Sequence, residues 1–293
     1  MLLEANDRAT QRIVAEFARE ITGEVSPPIV EALKGGRTSS VFAVRSEGRS
    51  GAIVVKVSRH KDGTPLFDNK PTDEWSVLTT LSPLGSAPTP VALHQPKDDI
   101  WLLAYQYVPG TEGANSADAL ATLLRTVHTK AGDISLPVRA VTPAHLMSEA
   151  ESIAADYLPD WAIGLRPPVQ DVSPLQDVRL VHRDPIASNI VTDSRGSPVL
   201  IDWQCPALGD PLEDIAHATS PAMAHVYGSA APFNAADVLA SYGDSELSER
   251  AQQMLPLYRW RMLCYCAWQA AHGHELYAEG MLKEADALKK LRA

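Results

Sequence analysis

The feature that most constrains this chain is a change of texture at Pro109-Gly110. Ahead of it, apolar residues come in short β-prone runs: IVEAL at 29–33, SVFAV at 40–44 and AIVVKV at 52–57, broken by the turn-rich GGRTS and SEGRSG. PVALHQ and IWLLAYQYV add two strands joined across Pro96 to Asp99. Beyond Gly110 the apolar spacing becomes helical, over 117–131, 143–158, 249–274 and the closing stretch from Glu275. Two strand-like runs interrupt it, VRLVH at 178–182 and PVLIDW at 198–203, separated by a turn signal at Asp193 to Gly196. Residues 6–22 place Ile13, Val14, Phe17 and Ile21 on one helical face and stop at Gly23; DEWSVLTTLS reads as a second early helix. The expected product is an α+β chain of two lobes. Residues 1–108 give an opening helix and a small antiparallel sheet, and residues 109–293 a mostly helical lobe.

At 293 residues the chain can bury a substantial core. It has no apolar stretch near the roughly 18 residues that cross a bilayer. Its N-terminus, MLLEANDRAT, lacks the basic-then-apolar pattern of a secretory signal, so a cytoplasmic protein with no membrane partner is expected. Cys205, Cys264 and Cys266 are too few, and odd in number, for a disulfide framework. Cys264 and Cys266 are two apart in a predicted helix and do not share a face, which disfavours zinc despite His272 and His274 nearby. The formal charge of −10 repels a phosphate backbone, which argues against nucleic acid as a partner, and it favours a cationic small molecule. Nothing points to an obligate protein partner.

The strongest chemical signal is Val181-His182-Arg183-Asp184-Pro185-Ile186-Ala187-Ser188-Asn189, followed by Leu200-Ile201-Asp202-Trp203. With this composition the pattern HxDxxxxN arises by chance about 0.01 times. Phosphoryl transfer needs a carboxylate at the acceptor hydroxyl and oxygen ligands for the magnesium that bridges the nucleotide phosphates. Asp184 suits the first role, while Asn189 and Asp202, on either side of a short hairpin, suit the second. His182 is read as bracing the loop. The alternative is a surface turn with capping carboxylates. Lys56, inside the apolar run AIVVKV, requires a partner if it is buried, because an unpaired ammonium there is costly. On an edge strand it would simply point to water.

This constellation resembles the aminoglycoside phosphotransferase and choline kinase family, relatives of the protein kinases, with the pieces in the family's order over nearly the whole chain. The resemblance implies a two-lobed protein-kinase-like fold, ATP and Mg2+ as cofactors, and a small-molecule hydroxyl as acceptor. It implies that Lys56 binds phosphate and that Glu74 is its ion-pair partner, with Asp73 as the alternative register. Gly35 to Phe42 stand where the family's phosphate-covering hairpin lies, and Gly36 and Ser39 are its implied nucleotide contacts. Tyr105 to Gly110 resemble the interlobe hinge, with Gln106 and Val108 offering backbone groups to adenine. Asp210 to Ala216 are similar to the family's GDPxxDLA stretch, so Asp210 and Asp214 are expected to order the start of a helix. The family commonly has glycine or asparagine where this chain has Arg183, and Ile186 replaces the lysine of Ser/Thr protein kinases, which disfavours a protein substrate.

The acceptor is less constrained. Tyr258, Trp260, Tyr265 and Trp268 form either a core stripe or a set of ring faces for a quaternary ammonium group. Asp210, Glu213 and Asp214 would add negative charge for an amino alcohol or aminoglycoside. A neutral sugar, or a nucleotide-binding pseudokinase without turnover, stands as the alternative.

Overall fold

The computed structural model describes residues 8–33, 38–45, 51–59, 63–130, 134–139, 142–154, 156–170, 172, 175, 177–229 and 233–292. The chain divides into two compact units, Met1–Gly110 with Val199–Cys205, and Thr111–Pro198 with Pro206–Ala293.

The first unit begins with α1 (Arg8–Thr22), followed by β1 (Ile29–Ala32), β2 (Ser39–Arg45), β3 (Ile53–Ser58), α2 (Pro71–Leu81), β4 (Pro90–Lys97) and β5 (Ile100–Gln106). The strands form one sheet in the order β1-β2-β3-β5-β4, each neighbouring pair antiparallel. Alternation along each strand sends one set of side chains to a common core. Phe42 and Val44 of β2, Ile53, Val55 and Val57 of β3, and Ile100, Leu102 and Ala104 of β5 meet Val14, Phe17 and Ala18 of α1. β3 is the central strand and is buried at every position, so it is covered on both faces. Lys56, in register with Val41 and Leu103, therefore alternates away from Val55 and Val57 onto the face opposite α1.

The second unit contains β6 (Thr111–Glu112), α3 (Ala117–Lys130), α4 (Pro143–Ala154), α5 (Asp160–Ile163), β7 (Arg179–Val181) and β8 (Ile190–Thr192). After β9 (Pro198–Leu200), which runs across the division, come β10 (Ala207–Gly209), α6 (Pro211–Ala218), α7 (Pro221–Tyr227), α8 (Ala235–Tyr242), α9 (Ser245–Ala271) and α10 (Leu276–Arg292). From Leu257 to Ala267 α9 is buried on every face, and α4, α6 and α10 pack on it. β7 pairs with β10, and β6 with β8.

PVLIDW, expected to be one strand through Trp203, stops at Leu200. Asp202 has a φ of 62°, and a left-handed residue cannot continue a strand. The Trp203 indole instead turns back to donate to the Leu200 carbonyl at 3.0 Å. α7 and α8 were not expected. Each is short and begins at a side-chain cap, Ser220 accepting from the Met223 N–H and Asn234 from the Ala236 N–H. Among the described residues no helix is long and apolar enough to cross a membrane.

Phe42 is fully buried where α1 crosses β2 and β3. Phe42→Ala should cost about 3–5 kcal/mol of stability, the cost of a cavity in a closely packed core. A urea titration of the variant checks this, and an unchanged midpoint would mean that the α1 contact does not stabilise the sheet.

Candidate active site

In the first unit the geometry centres on Lys56. Its ammonium donates to Glu74 of α2 at 2.8 Å and also to Asp202. Lys56 and Glu74 are buried, whereas the Asp202 side chain keeps 30% of its surface. Burial favours the neutral amine, but the Asp202 and Glu74 carboxylates outweigh it and raise the Lys56 pKa above its ordinary value. The lysine is thus held as a cation between two carboxylates. The ion pair goes to Glu74; Asp73 spends its N–H on the Lys70 carbonyl at 3.1 Å, in the first turn of α2.

Around this pair the start of β2 is tied down. Asn69 donates to the Thr38 carbonyl at 2.9 Å and to the Ser39 hydroxyl at 3.3 Å, Thr38 bonds the Gln204 side chain, and the Gln204 carbonyl accepts from the Lys70 N–H at 3.0 Å. Ser39 is buried at this junction. Gly36 lies outside the described residues. At the end of β5 the Gln106 N–H donates to the Thr89 carbonyl at 2.8 Å and the Tyr107 N–H to Ala52 at 3.0 Å. Both amides are therefore committed to the protein, and Val108 follows them outside the strand.

In the second unit the loop between β7 and β8 carries His182, Arg183, Asp184 and Asn189. Arg183 has a φ of 70° and, with Asp202, makes up the non-glycine residues with positive φ among those described. Such strain persists only where neighbours over-determine it, and it gathers at functional sites. Here α6 is the neighbour. The Asp214 carboxylate accepts the N–H groups of His182 at 2.8 Å and Arg183 at 2.7 Å, Glu213 accepts the Arg183 guanidinium at 3.3 Å, and His217 Nδ1 donates to the Arg183 carbonyl. His128 of α3 holds Asp214 from the other side at 3.0 Å and meets the Tyr242 hydroxyl at 3.0 Å.

Next in the loop, the Asp184 N–H donates to His182 Nδ1 at 3.2 Å, which accounts for the bracing role expected of His182. Asn189 Nδ2 donates to the Asp184 carbonyl at 2.9 Å and carboxylate at 3.2 Å. With its nitrogen turned inward, Asn189 presents Oδ1 as its acceptor end. Each in its own unit, the Asn189 amide oxygen and the Asp202 carboxylate, 30% exposed, are hard oxygen donors of the kind magnesium takes. No group of three or more His, Cys, Asp or Glu side chains suited to a metal occurs among the described residues.

The acidic and aromatic groups considered for the acceptor have other duties. Asp210 caps α6 at the Leu212 N–H and pairs with Arg250 at 3.0 Å. Burial by itself raises Glu213, but Arg261 and Arg183 hold its carboxyl well below the usual range. Tyr258, Trp260 and Tyr265 are buried in the core, and Trp268 stacks on His272 at 4.1 Å. Cys205, Cys264 and Cys266 are buried and free.

His128, Glu149, His217 and Arg261 do not stand out in the sequence as site residues, nor does Arg259, which is buried and pairs with Glu284 at 3.0 Å. Arg259 and Arg261 carried a usable signal, two guanidiniums inside the apolar stretch LYRWRMLCYC, where charge must be paired. His128 and His217 carried none, because their partners lie far along the chain.

The profile of the phosphotransferase enzyme family matches residues 29–253, over three-quarters of the chain. No curated protein matches by sequence. Among solved structures, choline kinase LicA from Streptococcus pneumoniae superposes with a TM-score of 0.64 at 18% identity, covering 96% of this chain and 99% of that one. A thermostable mutant of aminoglycoside phosphotransferase APH(4)-Ia, in ternary complex with AMP-PNP and hygromycin B, gives 0.62 at 18%, covering 96% and 99%. Spectinomycin phosphotransferase APH(9)-Ia, with ADP and spectinomycin, gives 0.59 at 16%, covering 95% and 93%. At these identities the likeness is one of fold: the chain has the two-lobed kinase-like fold expected of it.

Burial and the nearby Arg261 guanidinium push His217 down to about 4, so it is neutral at pH 7. Its unfolded value lies near 6.5. The folded pKa is depressed, so the associated stability is full above about pH 6.5 and is lost as pH falls toward 4. His217→Gln should flatten this loss, which amounts to on the order of 3 kcal/mol across the window. Urea midpoints at pH 7.5, 5.5 and 4.5 for both proteins check it, and parallel pH dependences would assign the titration elsewhere.

Proposed function

Because this chain belongs to the phosphotransferase enzyme family, we propose that it transfers the terminal phosphoryl group of ATP, with Mg2+, to a hydroxyl on a small molecule. The observation that carries this reading is the buried Lys56 held between Glu74 and Asp202. A cation fixed beside a partly exposed carboxylate is what a polyphosphate with a bridging divalent ion requires.

In this mechanism Glu74 fixes the Lys56 ammonium, which contacts phosphate oxygens. Gly36 and Ser39 belong to the hairpin that covers the phosphates, and the backbone at Gln106 and Val108 borders adenine. The Gln106 N–H is already spent on Thr89, so the groups proposed for the base are the Gln106 carbonyl and the Val108 backbone. Asn189 and Asp202 would hold the magnesium, and when bound that ion would supply positive charge to offset the phosphate oxygens. Asp184 orients the acceptor hydroxyl and takes its proton as the oxygen attacks the terminal phosphorus and ADP leaves. Asn189 keeps the Asp184 carboxylate in place.

For the acceptor we propose a hydroxyl compound bearing amino groups. Supporting this are the formal charge of −10 and structural neighbours that include a choline kinase and phosphotransferases bound to hygromycin B and spectinomycin. ADP release measured across amino alcohols, aminoglycosides and neutral sugars tests the reading. Turnover confined to neutral sugars would remove the amine, and nucleotide binding without turnover on any acceptor would replace the enzyme by a regulatory protein.

Asp184→Asn is expected to leave MgATP affinity within about twofold and to lower kcat at least about a hundredfold, because it removes the proton acceptor and no nucleotide ligand. Wild-type turnover would sink the assignment. Asp202→Ala should abolish the magnesium dependence of nucleotide binding. Calorimetric titration of ATP with and without Mg2+ measures this directly, and an unchanged dependence would put the ion elsewhere.

A further inference from the structure

A row of alternating charges runs through the second unit to the residue before Asp184. The Arg183 guanidinium donates to Glu213 Oε1 at 3.3 Å, and the same oxygen accepts Arg261 Nη2 at 2.6 Å. Through its other arm Arg261 donates to Glu149 of α4 at 2.6 Å, and Glu149 also pairs with Arg139. Arg183, Glu213 and Arg261 are each 3% exposed or less, whereas Arg139 and Glu149 reach the surface. The Arg261 guanidinium also lies 5.1 Å from the centre of the Tyr258 ring, which limits its rotamers.

Arg183 is an expensive residue for its position. Its φ of 70° suits glycine or asparagine, and its side chain must be buried as a cation. What offsets this cost is Glu213, and what keeps Glu213 ionised and aimed is Arg261 as well as Arg183.

We propose that Arg261 is a positioning residue for phosphoryl transfer: through Glu213 it fixes Arg183, and through Arg183 the backbone that presents Asp184. The proposal rests on the reading of Asp184 as the proton-accepting carboxylate. Among the described contacts Arg261 meets no residue assigned to the reaction; its pairing with Glu213 leads to the Arg183 side chain, and that is the route the cycle removes, whereas the effect of its charge on His217, which binds the Arg183 carbonyl, is present in both backgrounds.

That dependence makes it testable by a double-mutant cycle of Arg261→Met and Arg183→Gly, the glycine meeting the left-handed φ without a side chain to anchor. ADP release, KM for MgATP and urea stability are measured on wild type, both single variants and the double variant. Expected for Arg261→Met is a kcat loss of about tenfold or more with KM for MgATP within about twofold. In the Arg183→Gly background the same change should alter kcat less than about twofold, while its stability loss persists. A purely structural arginine would give equal kcat losses in both backgrounds, and that result, or wild-type kcat in the single variant, overturns the proposal. If Arg261→Met does not fold, Arg261→Lys serves in the same cycle: the ammonium keeps the charge but not the fork that joins Glu149 to Glu213, and a kcat loss of several-fold, again absent beside Arg183→Gly, is expected. Asp184→Asn is run in parallel. If it retains turnover, the reading of Asp184 is at fault; if it is inactive while Arg261→Met behaves as wild type, only the positioning role falls.

Discussion

One carboxylate, that of Asp214, sets the backbone on which the second unit's chemistry depends. It accepts two consecutive main-chain N–H groups, from His182 and Arg183, and is itself held by His128. Charge-assisted bonds of this kind are stronger than neutral ones, and two from adjacent residues fix the direction of the chain as well as its place. The eight-residue helix α6 provides the rest of the clamp, with Glu213 on the Arg183 guanidinium and His217 on its carbonyl. Arg183 thus has its N–H, its carbonyl and its side chain bound by three residues of one helix. This is how a left-handed arginine is tolerated next to a residue whose position matters.

The first unit solves a different problem by a related device. A lysine on the central strand of a five-stranded sheet is buried from every side, and its charge has to be balanced there or given up. Two carboxylates balance it. Glu74 is buried and fixed, so it acts as the permanent partner, whereas Asp202 keeps contact with solvent. Asp202 is therefore the carboxylate of the two that solvent reaches, and Glu74 the one enclosed with Lys56.

In each unit strain and an ion pair coincide. The two left-handed non-glycine residues among those described, Arg183 and Asp202, lie beside or at residues for which we propose proton transfer and metal binding. Neither is explained by local propensity, since a β-prone run leads into each. The energy that holds them comes from long-range ion pairs and charge-assisted bonds, so these two positions report on the whole unit rather than on their own segment.

The sequence by itself determined the strands of the first unit and the longer helices, though not α7 or α8, because side-chain periods of 2 and 3.6 are local properties, and the breaks at Gly and Pro are local too. It also determined that Lys56, if interior, needs an acid, and that HRDPIASN with a following Asp is a phosphoryl-transfer pattern. Only the tertiary structure decided that Glu74 rather than Asp73 takes the lysine, because a single helical step moves a side chain by about 100° and no local rule sets that phase. It alone decided that the strand of Asp202 ends at Leu200, that the segment 199–205 packs with the first unit, and that Asp210, Glu213 and Asp214 are consumed by internal bonds. The same holds for Arg261 and His217, whose partners are distant in sequence. Spacing along a chain encodes which face a residue occupies, whereas the pairing of buried charges is fixed only when separate elements are brought into contact.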